Sequence, residues 1–260
     1  MRKLKPKYKT LFISLSIVLY MFIALGFSGK KASEKRCTRI DVEILDSNRN
    51  MFISAKDIDK ILERNEFNIM GYPIKEINSL VIEKAVEKHP SIELANVYTN
   101  VKGNINVRVL QRNPIVRILQ PNGNSYYIDD KGLLMPLSYN YTSRVPIVTG
   151  NIERNYQDYK KQDLQKIGAD TLLQDIFLLS KEIKKNKYWL AMCNQIVVSE
   201  KQELMIIPKI GAKQILLGKS ENYADNLKTL TAFYTEVLPV VGWEKYKTIN
   251  LQYNKQIVCK

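Results

Sequence analysis

One histidine, His89, and three cysteines, Cys37, Cys193 and Cys259, are all that 260 residues offer of the side chains that most often bind metals or attack substrates. A lone histidine excludes a metal site built on two or more, and a catalytic triad would have to recruit this one residue. The cysteines are too few and too scattered for a disulfide framework or a zinc site, and their odd number leaves at least one thiol unpaired. Inert, buried thiols are the expectation. Phosphate-binding loops, GxGxxG, GxSxG, CxxC and HExxH are all absent. Asp129-Asp130 is a pair of adjacent carboxylates, but neighbours in a strand point to opposite faces, and DDKG is a turn signature. His89 precedes Pro90 at the end of a helical pattern, where a helix C-terminus favours a cationic cap over a catalytic base. The expectation is therefore no catalytic residue, no metal and no cofactor: not an enzyme.

Long apolar runs are equally scarce, and there is one. Thr10–Phe27 reads TLFISLSIVLYMFIALGF and carries no charge. As a helix it covers about 27 Å, close to the hydrocarbon core of a bilayer. A cleaved signal peptide has a shorter apolar region and a small-x-small cleavage site, and Gly26-Phe27-Ser28-Gly29-Lys30-Lys31 is a poor one. The segment is expected to be a retained transmembrane helix, residues 10–29, behind a short tail, residues 1–9.

The formal charge of +14 does not point to nucleic acid. Residues 1–40 hold ten Lys/Arg against one acid, Glu34, a surplus of nine flanking the apolar run. There Lys and Arg snorkel and meet anionic headgroups. The other 220 residues hold 30 basic and 25 acidic side chains, with no basic stripe interleaved with aromatics. Five basic residues lie on each side of the run, so charge alone leaves orientation open.

The body reads as two parts. In the first, residues 37–112, Thr38–Ile44 alternates polar and apolar as a half-buried strand. Ser54 caps a helix with Asp57 three residues on, and Ile58, Ile61 and Leu62 form its buried face. A second helix, Ser79–Lys88, ends at His89-Pro90. Strands Ile92–Asn100 and Asn104–Gln111 follow, joined at Lys102-Gly103-Asn104. Ile105, Val107 and Val109 should face the core, with Asn106, Arg108 and Leu110 opposite. The order is β-α-α-β-β.

In the second part, residues 113–260, short apolar stretches predict strands at Ile115–Leu119, Tyr126–Ile128, Ile196–Val198, Leu204–Ile207, Ile215–Leu217, Lys247–Leu251 and Gln256–Cys259. Prolines limit their length. Two helices interrupt them. Asp163–Lys185 carries Leu172, Leu173, Ile176, Phe177, Leu179 and Ile183 at helical spacing, and Tyr223–Val237 carries Leu227, Leu230, Phe233, Tyr234 and Val237 inward.

Order, spacing and anchor together resemble the FtsQ family of bacterial division proteins (DivIB in Gram-positive organisms). The resemblance rests on Pro90-Ser91-Ile92-Glu93-Leu94-Ala95-Asn96-Val97, then Asn106–Val116, then Tyr127-Ile128-Asp129-Asp130-Lys131-Gly132, then Ile249-Asn250-Leu251-Gln252-Tyr253. Gln111 stands where the family usually has Glu, and Asn250 and Gln252 replace Asp and Arg, so a charge pair common in the family is expected to be missing. The resemblance implies an α+β chain: an N-terminal transmembrane helix, a βααββ POTRA domain, then a mixed open β-sheet domain backed by helices. It also implies a cytoplasmic N-terminus, a body outside the cytoplasmic (inner) membrane, and residence at the division septum.

An open sheet leaves an edge whose unpaired N–H and C=O groups a partner strand can use. The expected docking edge is the terminal hairpin, with Ile249, Leu251, Tyr253, Gln256, Ile257 and Val258 as partner-binding residues. Proline at Gln256 or Val258 is expected to remove a ladder donor there. Strand Ile92–Asn100 is a second candidate edge. By resemblance the partners are FtsB- and FtsL-like single-span proteins, and the chain is a non-enzymatic scaffold of the division complex. The alternative is a POTRA-type chaperone or secretion component for outer-membrane β-barrel substrates. That class usually carries repeated modules or a barrel, and neither pattern is present.

Overall fold

The computed structural model describes residues 14–23, 35–100, 102–160, 162–166, 168–218, 222–253 and 256–260. Residues 14–23 are helical and exposed on every side, Leu15, Val18, Tyr20 and Phe22 among them. The rest of the expected 10–29 span lies outside the described residues, and among these no helix is long and apolar enough to cross a membrane.

From Lys35 onward the described chain falls into two compact units. One comprises the chain up to Leu45 with Ser54–Leu110; the other comprises Asp46–Ile53 with Gln111–Lys260.

The first unit is built from β1 (Ile40–Ile44), α1 (Ala55–Arg64), α2 (Ser79–Glu87), β2 (Ile92–Thr99) and β3 (Ile105–Gln111), with a 3-10 turn before α2. The expected β-α-α-β-β order is observed. Ser54 and Asp57 form the predicted capping box, the Ser54 N–H donating to Asp57 Oδ2 at 3.0 Å. That reciprocal bonding fixes where α1 starts. Ile58 and Leu62 are buried while Ile61 is half-buried. The sheet order is β1-β3-β2, with β1 parallel to β3. Ile105, Val107 and Val109 are fully buried beneath the helices, as the alternation predicts. On the other face Arg108 pairs with Glu43 at 2.7 Å and lies over the Tyr98 ring.

The second unit holds a nine-stranded mixed sheet among the described residues. Its strands are β4 (Pro114–Leu119), β5 (Ser125–Asp129), β6 (Leu134–Pro136), β7 (Ile147–Gly150), β8 (Cys193–Val198), β9 (Leu204–Pro208), β10 (Gln214–Gly218), β11 (Thr248–Asn250) and β12 (Val258–Cys259). Their order is β12-β11-β10-β9-β8-β7-β4-β5-β6. β6 and β7 are too short and too interrupted by proline to show an alternation in the sequence. The β7–β8 contact depends on Gly150, at φ +98°, because a Cβ there would sit 2.2 Å from the Val198 carbonyl.

Between the strands lie α3 (Tyr156–Tyr159), α4 (Thr171–Lys185), α5 (Lys187–Met192), α6 (Tyr223–Ala232) and α7 (Leu238–Val241). The helix expected from Asp163 starts instead at Thr171. Asp170 caps it, accepting from the Leu173 N–H at 3.0 Å, while Arg154 holds the other carboxylate oxygen at 2.6 Å. A side chain committed to the cap ends the helix there, whatever apolar spacing precedes it. Leu172, Leu173, Ile176, Phe177, Leu179 and Ile183 are all buried, as expected. Trp189 is fully buried, and its indole N–H donates to Thr231 Oγ1 at 2.8 Å.

The helix expected over Tyr223–Val237 also departs from its ideal course. After Ala232 it widens into a π turn, Phe233–Val237. Pro239 follows; it has no N–H to donate and its ring would crowd the carbonyl four residues back. The wider turn changes the helical phase. Leu227, Leu230 and Tyr234 remain buried, Phe233 is half-buried, and Val237, expected inside, is exposed.

Candidate docking edge

The last strand of the large sheet is its edge. β12 runs antiparallel to β11, with Ile249 opposite Cys259 and Asn250 opposite Val258. Thr248 and Lys260 exchange both backbone bonds, each 3.0 Å. Bonded and unbonded pairs alternate in an antiparallel ladder. Asn250–Val258 is therefore a bonded pair, and Ile249–Cys259 is not. The N–H and C=O of Cys259 point away from β11, and by the same alternation so do those of Ile257. Among the described residues no backbone group pairs with them.

This geometry sorts the predicted residues. The Ile249 and Leu251 side chains are buried in the core, so they hold the hairpin and offer no surface. Ile257 packs against the same core. Tyr253, Gln256 and Val258 are exposed. The expectation for proline needs correcting. The Val258 N–H faces β11 and the Gln256 N–H turns back to the Tyr253 carbonyl at 3.3 Å, so proline at either position disturbs the hairpin itself. The donors on the free side belong to Ile257 and Cys259. Sequence reasoning passed over Cys259; only the ladder register reveals it.

The second candidate edge is different. β2 is also an edge strand, but two of its outward N–H groups are taken. Ala95 N–H donates to Glu87 Oε1 at 3.1 Å and Val97 N–H to Glu83 Oε1 at 2.7 Å. Glu83 and Glu87 lie one turn apart on α2, so one helix face supplies both acceptors. The far edge of the large sheet, β6, is covered in part: Leu133 bridges to Asp163, and Leu164 N–H donates to the Gly132 carbonyl at 3.0 Å.

Gln111, Asn250 and Gln252, the neutral side chains that stand where the resemblance implies charged ones, all find hydrogen-bond partners. Gln111 is buried and fully used. Its amide donates to Asp46 Oδ1 at 3.1 Å and to the Asn50 carbonyl at 2.7 Å, and its oxygen accepts from the Ile53 N–H at 3.0 Å. A carboxylate could not donate to Asp46. These bonds tie the segment Asp46–Ile53 into the second unit. Asn250 Nδ2 donates to Gln252 Oε1, and Gln252 reaches Glu203 at 3.2 Å. An ion pair is nonetheless present nearby, Arg112 to Asp129 at 2.9 Å.

The remaining chemical candidates resolve into structure. Asp129 Oδ1 accepts from the Lys131 and Leu133 N–H groups, closing the turn that Gly132 completes at φ +75°. Burial pushes the Asp129 carboxyl above its ordinary range, against the pull of those bonds and Arg112. Asp130 points elsewhere, to Lys184 and Asn113. His89 is not a cationic cap. Its Nδ1 accepts from the Ser91 N–H at 3.2 Å, which requires the neutral ring, and burial holds its pKa below the usual histidine value. Cys37 and Cys193 are buried, and burial pushes the Cys193 thiol up to about 12. Among the described residues no group of three or more His, Cys, Asp or Glu could hold a metal.

A small βααββ unit and, separately, a large mixed sheet with an open terminal edge define an α+β chain with a POTRA-like module. Residues 35–110 match the family model of the POTRA-like domain, and residues 113–260 match that described as FtsQ/DivIB, C-terminal related. The second match covers more than half of the chain, and the chain belongs to the FtsQ/DivIB family, a non-enzymatic scaffold family of bacterial cell division. No curated protein matches the chain.

Proposed function

We propose that this protein is a membrane-anchored scaffold of the division complex that receives FtsB- and FtsL-like single-span partners by strand addition to β12. One observation carries the reading: the main chain of Cys259 faces outward at the sheet edge with no backbone partner among the described residues. Strand addition uses such groups for affinity and the alternating side chains for register. The exposed Val258 and Tyr253 flank the edge and read the partner's side chains. Residues 10–29 anchor the chain in the cytoplasmic membrane, with residues 1–9 inside and the POTRA domain, 37–112, and β domain, 113–260, outside. The scaffold links early and late division proteins at the septum and leaves catalysis to others.

The test is a co-purification of the detergent-solubilised full chain beside its Cys259→Pro form. Small single-span coiled-coil proteins should come down with the native chain alone. Recovery of β-barrel precursors by both forms would contradict the reading and favour a chaperone.

A further inference from the structure

At one end of the large sheet, where β10 and β11 begin and β12 ends, lysines gather. Lys213 N–H donates to the Lys247 carbonyl at 2.9 Å, and Lys247 N–H donates to the Lys260 carbonyl at 2.7 Å. Three neighbouring strands thus carry a lysine at the same level. Lys209 lies on the turn from β9 to β10, and Lys245 precedes β11 with its ammonium 5.6 Å from the Tyr246 ring. All five are exposed, and among the described residues none of them forms a salt bridge. The acids on the same segments are Glu236 and Glu244.

Exposed apolar side chains lie on or next to the same segments. Ile210 is 58% exposed, Val240 83% and Trp243 38%. Gly211, which follows Ile210, and Trp243 both lie against the buried Tyr234 ring. Gly211 lies so close to Tyr234 that a Cβ would be 3.2 Å from its hydroxyl, and the Trp243 and Tyr234 rings are 6.0 Å apart, edge-on. An exposed tryptophan with two aliphatic neighbours is the composition of an interface centre, and lysines around it form a rim of one sign.

We propose that this lysine-rimmed patch holds an acidic segment, carrying an apolar anchor, of the same partner polypeptide that pairs with β12. The proposal rests on the strand-addition reading and extends it. Continuity and charge identify the occupant. Lys260 belongs both to the ladder of β12 and to the lysine collar, so a strand laid along the free edge reaches the patch at that end, whichever way it runs. Carboxylates are what five ammonium groups without a salt bridge among the described residues select, and such complementarity sets encounter rate and register. A lipid headgroup surface shares the charge but not the continuity with the ladder.

The test uses the full chain in the cells that make it, with a photo-crosslinking residue placed at Trp243 or, separately, at Val258. The captured peptides are identified by mass spectrometry. Both positions should capture one polypeptide. The Trp243 adduct should map to an Asp/Glu-rich stretch within about ten residues of the Val258 adduct, the reach of an extended chain over about 33 Å. Replacing Lys209, Lys213, Lys245 and Lys247 with Gln should lower the Trp243 adduct at least about tenfold and leave the Val258 adduct, and added salt should act likewise. Unchanged thermal unfolding of that variant shows the fold intact. A Val258 adduct accompanied at Trp243 by lipid, by a different protein, by an uncharged stretch or by nothing overturns the patch assignment. Loss of the Val258 adduct in the native chain overturns the strand-addition reading itself.

Discussion

Two edge strands of this protein meet the same hazard in opposite ways. β2, in the small unit, turns the N–H groups of Ala95 and Val97 toward α2, where Glu87 and Glu83 accept them. β12, in the large unit, leaves the main chain of Cys259 unpaired among the described residues. Natural sheets blunt their edges unless an edge has a use, since an open one templates association. Two glutamates on one helix face are a cheap closure. Among the described residues β12 has no such acceptor, and that makes it the candidate site. Length differs too: β2 spans eight residues and β12 two. A short edge resists indiscriminate pairing and still offers a specific partner a register.

The sharpest break in this comparison is Cys259→Pro. It removes the outward donor and spares the inward bonds of Val258 and Lys260. Partner binding should fall at least about 100-fold, with the unfolding midpoint nearly unchanged. Affinity measured by titration of the co-purified partner checks it; undiminished binding moves the site elsewhere.

Next in size is Gln111→Glu. The β2 closure needs only acceptors, so carboxylates suffice. Gln111 must both donate and accept, and a glutamate there faces Asp46 and orphans the Asn50 carbonyl. A cost of about 2 kcal/mol to the large unit is expected in denaturant unfolding, recovered in part on acidification as the carboxyl gains a proton. No loss of stability would mean that Asp46 and Gln111 separate easily.

Opening the closed edge comes third. Glu83→Ala with Glu87→Ala should cost about 1 kcal/mol per lost bond and turn β2 into a self-associating edge. Light scattering at rising concentration reads the association. A double variant that remains as monodisperse as the parent would show that the glutamates do not guard the strand.

The smallest effect separates the units by pH. His89, the single histidine, lies in the small unit. Its folded pKa lies below the unfolded value, so the unfolded chain binds more protons in that interval. The stabilisation is whole above about pH 6.5 and is lost as pH falls from there toward the folded value. The small unit should soften in that window while the large unit, which has no histidine, does not respond through this group. His89→Gln, which can still accept from Ser91, should flatten the response; an unchanged slope would assign it to another group.

Much of the fold was legible in the sequence because local chemistry and period agreed. Ser54 and Asp57 announced α1, and Ile105, Val107 and Val109 announced the buried face of β3. The apolar stripe of α4 was right in every residue. Its start was not, since Asp170 cut the helix short by committing its carboxylate to the cap and to Arg154. Val237 was misassigned because a π turn changes phase in a way no fixed period anticipates. β6 and β7 were missed because three- and four-residue strands carry no pattern. The terminal hairpin was expected as the docking edge from its place at the end of the pattern and from family resemblance. Which residues face outward depends on ladder register, and register is a long-range property: Thr248 pairing with Lys260 puts Cys259 on the free side. The glutamate closure of β2 was out of reach for a related reason, because helical spacing shows that Glu83 and Glu87 share a face but not what that face meets.

The central claim is that β12, and not β2, receives a strand. Residue-resolved amide hydrogen exchange on the full chain, alone and with its co-purified partner, tests it most directly. The N–H groups of Ile257 and Cys259 should exchange fast alone and slow markedly in the complex. Those of Ala95 and Val97, held by glutamates throughout, should not change. Protection gained at Ala95 and Val97, or none at Ile257 and Cys259, would contradict it.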